Sequence, residues 1–200
     1  MSGEGRGGAG AAAGAGDGGA RRRSSRRGAV VIASRPRALR VIGIDPGTEA
    51  VGYAVLDRAA GGARLAEVGV IRTPPGAPIE RRLALIYDRL CDTIRRTSPE
   101  EAAIELLVYG KSIRSALRSG EGRGVAILAA GACGIPVSEY SPTKVKKAAT
   151  GSGGARKGQV QEMVRRILGL PGPPPQDAAD AIAIALCHLH QVRFQRGGTR

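Results

Sequence analysis

Three features of this sequence predict an α/β chain built on a mixed five-stranded sheet with helices on both faces. Three strand-like segments stand together before any helical pattern begins. Helical and strand-like segments alternate after that. Breaks rich in Pro and Gly separate them.

Residues 40–48 open the sheet. Val41, Ile42 and Ile44 favour the pleated state, and Pro46-Gly47 ends the run by fixing φ and permitting a tight turn. Residues 51–57 start a second strand, so Asp45 falls near the open end of a hairpin. An acid in such an apolar run is costly unless it is hydrated, paired or bound to metal; a turn-capping Asp is the plainer reading. Residues 63–72 alternate as a third, antiparallel strand, and 73–78 form a Pro-rich loop. Ile79, Leu83, Ile86, Leu90 and Ile94 then recur at helical spacing over 79–97. Arg81, Arg82, Arg89, Arg95 and Arg96 fall off that stripe and read as a solvated face.

Ser98-Pro99 stops this helix. Residues 101–107 are expected to be a short buried strand with Glu105 inside an otherwise apolar run, where pairing with an Arg is the alternative to chemistry. Residues 111–133 read as a helix weakened by Gly120, Gly122 and Gly124. Its second half, 125–133, is apolar all round and suits burial in the core or at a subunit interface. Residues 134–140 make the fifth strand. Ser141 fits an N-cap and Pro142 a first helical position for a helix over 143–149. The glycine loop at 150–154 has no Gly-Lys-Ser/Thr and resembles a phosphate cradle only superficially. A helix at roughly 156–168, a stiff Pro-rich linker at 171–175, and a last helix over 176–191 packing through Ala178, Ala181, Ile182, Ala185 and Leu186 complete the fold.

Composition divides the 200 residues. The first forty are mostly Gly, Ala and Arg, with nine Arg against two acids, and lack the apolar side chains that would offset ordering; 1–39 is expected to be a disordered extension. Half of the net charge of +14 lies there, +7, leaving +7 for the remainder, which suits a polyanionic partner or an ordinary solvated surface. The folded domain is expected over 40–191, with a basic tail over 192–200. No apolar run reaches the length of a membrane span and no secretory signal is apparent. Cys91, Cys133 and Cys187 have no metal-binding spacing and read as buried free thiols of a reducing compartment. His188 and His190, two apart on a helix, point different ways and read as packing and surface.

The last helix opens with Asp177-Ala-Ala-Asp180, two carboxylates one turn apart on one face; favourable placement at a helix N-terminus is the plain alternative. A mixed sheet could converge these with Asp45 and Glu105. Four crowded carboxylates cannot all stay ionised without cations, and hard oxygen ligands suit Mg²⁺ or Mn²⁺. Two such ions would serve phosphodiester hydrolysis.

Gly43-Ile-Asp-Pro-Gly47, Ala103-Ile-Glu105, Arg123-Gly-Val-Ala-Ile127, Val145-Lys146, the Gly151/Gly153 loop followed by Lys157, and the run from Asp177 through Asp180 to Ala185 resemble the RuvC-type Holliday junction resolvases, in the family's motif order. The resemblance implies an RNase H-like fold and a homodimer in the cytoplasm, associated with the nucleoid. It implies paired nicks of opposed strands at four-way junction DNA, two Mg²⁺ per site with Mn²⁺ as substitute, and partners of the RuvA and RuvB type. By position, Asp45, Glu105, Asp177 and Asp180 become the catalytic, metal-binding acids, and Lys146 and Lys157 the phosphate-facing residues. Tyr109, Lys111, Arg114 and Lys147 are further expected DNA contacts. The chain departs from the family after Glu105, where the usual Gln and aromatic are Leu106 and Val108. Tyr109 would then supply the stacking ring one residue later. Lys111-Ser112 stands where the family often has Asn. Competing expectations are a junction-binding protein with impaired catalysis, an RNase H-like nuclease acting on RNA, and an actin-like ATPase, for which the chain is short.

Overall fold

The computed structural model describes residues 38–106 and 113–197, except the side chains of 113–116 and 193–197. Large aliphatic residues alternate across β1 (Arg40–Asp45), and the two sides of the sheet separate accordingly. β2 (Ala50–Ala59) and β3 (Gly62–Arg72) follow as an antiparallel meander. After α1 (Ile79–Thr97) the chain returns as β4 (Glu101–Glu105), parallel to β1. After α2 (Ile113–Ala132) it returns as β5 (Val137–Tyr140), parallel to β4. The sheet order is β3-β2-β1-β4-β5. Three helices close the described chain: α3 (Pro142–Thr150), α4 (Lys157–Leu168) and α5 (Gln176–Gly197).

Each face of the sheet has its own core. Ile42, Ile44, Val51, Val55 and Ile104 pack with Ile86, Leu90 and Ile94 of α1 and with Ala126, Ala129 and Ala130 of α2. Val41, Ala54, Leu56 and Ala103 pack with α3, α4 and α5 on the opposite face. The expected five strands and two helical layers are therefore present.

α5 is the central helix, buried on nearly every side between Ala178 and Leu189. Its alanines allow an unusually close approach to the sheet, and two glycines beneath it complete the fit. A Cβ at Gly43 would run into the backbone of Ala181 and Ala185, and one at Gly52 into the carbonyl of Asp177. Farther along, His188 is fully buried and bridges two strands: Tyr140 Oη lies 2.8 Å from its Nδ1 and Glu101 Oε2 lies 2.7 Å from its Nε2. With the tyrosine hydroxyl donating to Nδ1 and Nε2–H donating to the carboxylate, a neutral ring satisfies both partners. At the start of β1 Asp57 accepts from Arg40 (2.6 and 3.1 Å) and from Arg64 (2.6 Å). Arg40 holds the Asp57 carboxyl below the usual range.

Several expected boundaries move. β4 ends at Glu105, so this acid stands at a strand terminus and not in mid-strand. α5 continues to Gly197 because Val192 is still buried, so the expected tail at 192 begins inside a helix. Leu39, expected in the extension, is buried in the core and accepts from the Arg58 amide at 2.8 Å; residues 1–37 of the extension lie outside the described residues. Arg82 leaves the solvated face of α1 and is nearly buried. Cys91 and Cys187 are buried and Cys133 half-buried, all as free thiols. Among the described residues no helix is long and apolar enough to cross a membrane.

The seat of α5 is testable. Gly52→Ala is expected to cost about 1–3 kcal/mol by overpacking, read as a lower urea midpoint. Gly158→Ala, where a Cβ meets nothing within 4 Å, is expected to be neutral or mildly stabilising.

Candidate active site

The register of β1 on β4 sets Ile44 beside Ile104. The next residue of each strand, Asp45 and Glu105, therefore finishes level at one sheet edge. Alternation puts both on the face of Gly43 and Ala103, the face that α5 covers. Across β1, Asp45 pairs with Gly52, and the first turn of α5 sits on Gly52 through the Asp177 carbonyl. Asp180 lies one turn farther along α5. Asp45, Asp177 and Asp180 are all half-buried, as is Glu105.

Electrostatics records the convergence. Burial pushes Asp45 up to about 8, and the charges of Asp180, Glu105 and Asp177 push in the same direction while Lys157 opposes them. Burial likewise raises Asp180, with Asp177 adding to the shift and Lys157, Gln176 and Lys146 opposing it. The four carboxylates thus share one region of strongly negative potential, bordered by Lys157 and Lys146. Among the described residues no three His, Cys, Asp or Glu side chains stand close enough to form a finished metal cage. Mutual repulsion keeps carboxylates apart, and a divalent cation reverses that sign. The four acids offer carboxylate oxygens and so fit a hard cation of the Mg²⁺ or Mn²⁺ kind.

The lysines arrive by local rules. Ser141 caps α3 by accepting from the Lys144 amide at 3.4 Å, with Pro142 at the helix start. Gly151 ends α3 in the left-handed region (φ 78°), and Gly153 lies against Thr143 where a Cβ would meet its methyl group. The compact loop so made brings the start of α4, and with it Lys157, back toward α5.

Comparison with known proteins agrees with this geometry. The family model for crossover junction endodeoxyribonuclease RuvC matches residues 41–188. The crossover junction endodeoxyribonuclease RuvC of Chloroflexus aggregans is 51% identical over 162 residues, covering 80% of this chain and 99% of the relative. That of Pelotomaculum thermopropionicum is 46% identical over 157 residues, covering 78% and 96%. This chain belongs to the RuvC family. Among solved structures, Thermus thermophilus RuvC in complex with a Holliday junction substrate superposes with a TM-score of 0.73 at 38% identity, covering 78% of this chain and 96% of that one. The fold is the RNase H-like α/β fold.

In this RuvC-family chain the turn after Asp45 is clamped by residues that carried no functional signal in the sequence. Arg82 of α1 donates from Nε to the Thr48 carbonyl (2.9 Å) and to Thr73 Oγ1 (3.1 Å), and Thr73 Oγ1 donates to the Thr48 carbonyl (2.9 Å). α2 closes from the other side, where a Cβ at Gly122 would run into the Gly47 carbonyl at 2.6 Å. One arginine among five on α1 cannot be singled out by spacing; the mid-helix glycine was the available clue.

The other expected contacts divide. Lys146 and Lys157 stand by the carboxylates. Lys147, one residue round α3 from Lys146, is exposed. Tyr109 and Lys111 lie outside the described residues, as does the side chain of Arg114. Arg118 is engaged by Glu49 at 3.6 Å and Arg123 by Glu139, so these two have structural partners.

The raised Asp45 has a consequence for stability. A carboxyl whose folded-state pKa of about 8 exceeds its ordinary value of 3.8 leaves the folded state binding more protons between those values, so stability falls as pH rises through them. Metal-free Asp45→Asn is therefore expected to melt several degrees above wild type at pH 8, with the gap closing toward pH 4. Thermal melts in chelator check this.

Proposed function

We propose that this protein is a structure-selective DNA endonuclease that resolves four-way junctions by paired hydrolysis of opposed strands. The observation that carries the reading is geometric: β1 and β4 end level at Asp45 and Glu105, and the first turn of α5, which carries Asp177 and Asp180, sits on Gly52, the neighbour of Asp45. Kinship to proteins named crossover junction endodeoxyribonuclease supplies the reaction class, and the relative seen with a Holliday junction supplies the substrate class.

Asp45, Glu105, Asp177 and Asp180 are the proposed metal ligands. Two Mg²⁺ ions there, or Mn²⁺ in their place, would lower the pKa of the attacking water and offset charge developing on the leaving 3′ oxygen. The half-buried carboxylates exclude bulk water from one side of the scissile phosphate. Lys146 and Lys157 bind its flanking phosphates and hold the strand across the sheet edge. The proposed nuclease domain is the 40–191 region with α5 carried to its end. Partners of the RuvA and RuvB type and a cytoplasmic, nucleoid-associated setting follow from family membership as parts of this proposal.

Paired nicks need two sites, and the exposed face of α2 supports a homodimer. Leu117 and Leu128 are 65% and 61% exposed, eleven residues apart and so on one helix face, with Gly124 between them open to solvent. Leu128→Glu is expected to shift the protein to monomer in sedimentation velocity and to uncouple the two nicks.

The activity test is cleavage of a synthetic four-way junction with Mg²⁺. Asp45→Asn, Glu105→Gln, Asp177→Asn and Asp180→Asn should each abolish nicking while retaining junction binding; normal nicking by Asp45→Asn would refute the assignment. Lys146→Ala with Lys157→Ala should weaken binding and reduce its salt slope by about 2, read by fluorescence anisotropy.

A further inference from the structure

On the sheet face opposite α5, the C-terminal half of α1 and the end of β3 leave a trough of about 840 Å³ between them. Its walls carry Arg72 from β3 and Arg89, Arg95 and Arg96 from α1; Tyr53 and Asp92 also line it. Arg96 and the Tyr53 hydroxyl are both taken up by Glu67, at 2.7 and 2.9 Å. Arg72, Arg89 and Arg95 are exposed, and none of their guanidinium groups makes a hydrogen bond or ion pair with a described residue. Asp92 is within one helical turn of Arg89, Arg95 and Arg96 yet pairs with none of them. The trough therefore keeps three guanidinium groups available from two separate elements.

Favourable placement at a helix C-terminus explains Arg95 and Arg96. It explains neither Arg89, two turns earlier, nor Arg72, on a strand. The position of the trough gives a fuller account. Val70 pairs with Gly52, and Gly52 with Asp45, so β3 runs parallel to β1 and Arg72 lies just beyond the row that ends in the carboxylates. Two strand spacings across the sheet and two residues along it separate Arg72 from Asp45, about 12 Å in all. That is roughly three steps along a DNA strand. Guanidinium groups present forked donors that match phosphate oxygens.

We infer that this trough is a second DNA contact, holding the phosphate backbone of a duplex arm as it leaves the cut site. The inference rests on the endonuclease reading for the position of the cut. Arg72, Arg89 and Arg95 follow one another from the carboxylate end of the sheet toward the start of β1 and contact phosphates along the arm without reading sequence.

The test uses the full-length chain carrying Asp45→Asn, so that binding is read without cleavage. Arg89→Ala/Arg95→Ala in that background replaces two exposed helical residues by good helix formers. Anisotropy with a labelled four-way junction should show about tenfold weaker binding or more at about 50 mM salt. The deficit should shrink about tenfold by about 200 mM, as two lost phosphate contacts require. A photocrosslinker placed through Arg89→Cys should label arm nucleotides outside the crossover. Unchanged affinity and salt slope in the double variant would overturn the inference, including the case in which the trough serves an acidic protein surface. Failure of the endonuclease reading looks different: the chain without substitutions would leave the junction uncut, whatever the arginine variants did to binding.

Discussion

The close seating of α5 on β1 and β2 is the constraint on which the rest of the molecule depends. Two glycines, Gly43 and Gly52, remove the side chains that would hold the helix away, and the alanines at 181 and 185 meet them from above. That contact fixes the height of the first helical turn over the sheet edge. Asp177 and Asp180 consequently look onto Asp45 and Glu105, and no flexible segment is needed to bring them together. The buried Tyr140–His188–Glu101 relay holds the same helix at its far end, so α5 is anchored to the sheet along its length. Leaving any of these polar partners buried and unsatisfied would cost roughly 1–3 kcal/mol, which makes the relay a lock on the helix position.

A site built in this way stores electrostatic tension. Burial and like charge both act against ionisation of Asp45, and Lys157 relieves only part of it. The protein tolerates the cost because the surrounding scaffold is rigid: the Asp45 turn is gripped by Arg82 and Thr73 on one side and by the Gly122 face of α2 on the other. Rigid support of this kind suits the proposed centre, which would hold hard cations and a phosphodiester in a narrow range of geometries.

Most of the architecture was legible from local signals. The strand alternation, the Ser141-Pro142 helix start and the helical stripe through Ile86, Leu90 and Ile94 each reflect short-range physics, and each element formed where that physics acts. The acids were legible as a pattern because two of them, Asp45 and Glu105, interrupt apolar runs and the pair at 177 and 180 shares a helical face. Contacts between distant segments were not legible. Glu105 ends its strand because the chain leaves the sheet beside Tyr140, not because of its neighbours' propensities. Arg82 looked like any other surface arginine, since its partners Thr48 and Thr73 lie in two separate loops. α5 outran its expected end because burial of Val192 comes from tertiary packing, which composition alone does not encode.

The central claim is that four acids from three elements form one cation-binding centre. Mn²⁺ titration followed by electron paramagnetic resonance tests it most directly, comparing the wild-type chain with Asp45→Asn, Glu105→Gln, Asp177→Asn and Asp180→Asn taken singly. The account predicts that each substitution weakens the same binding isotherm. An isotherm left intact by Asp177→Asn or Glu105→Gln, with the others affected, would show that the acids serve separate sites and would contradict it.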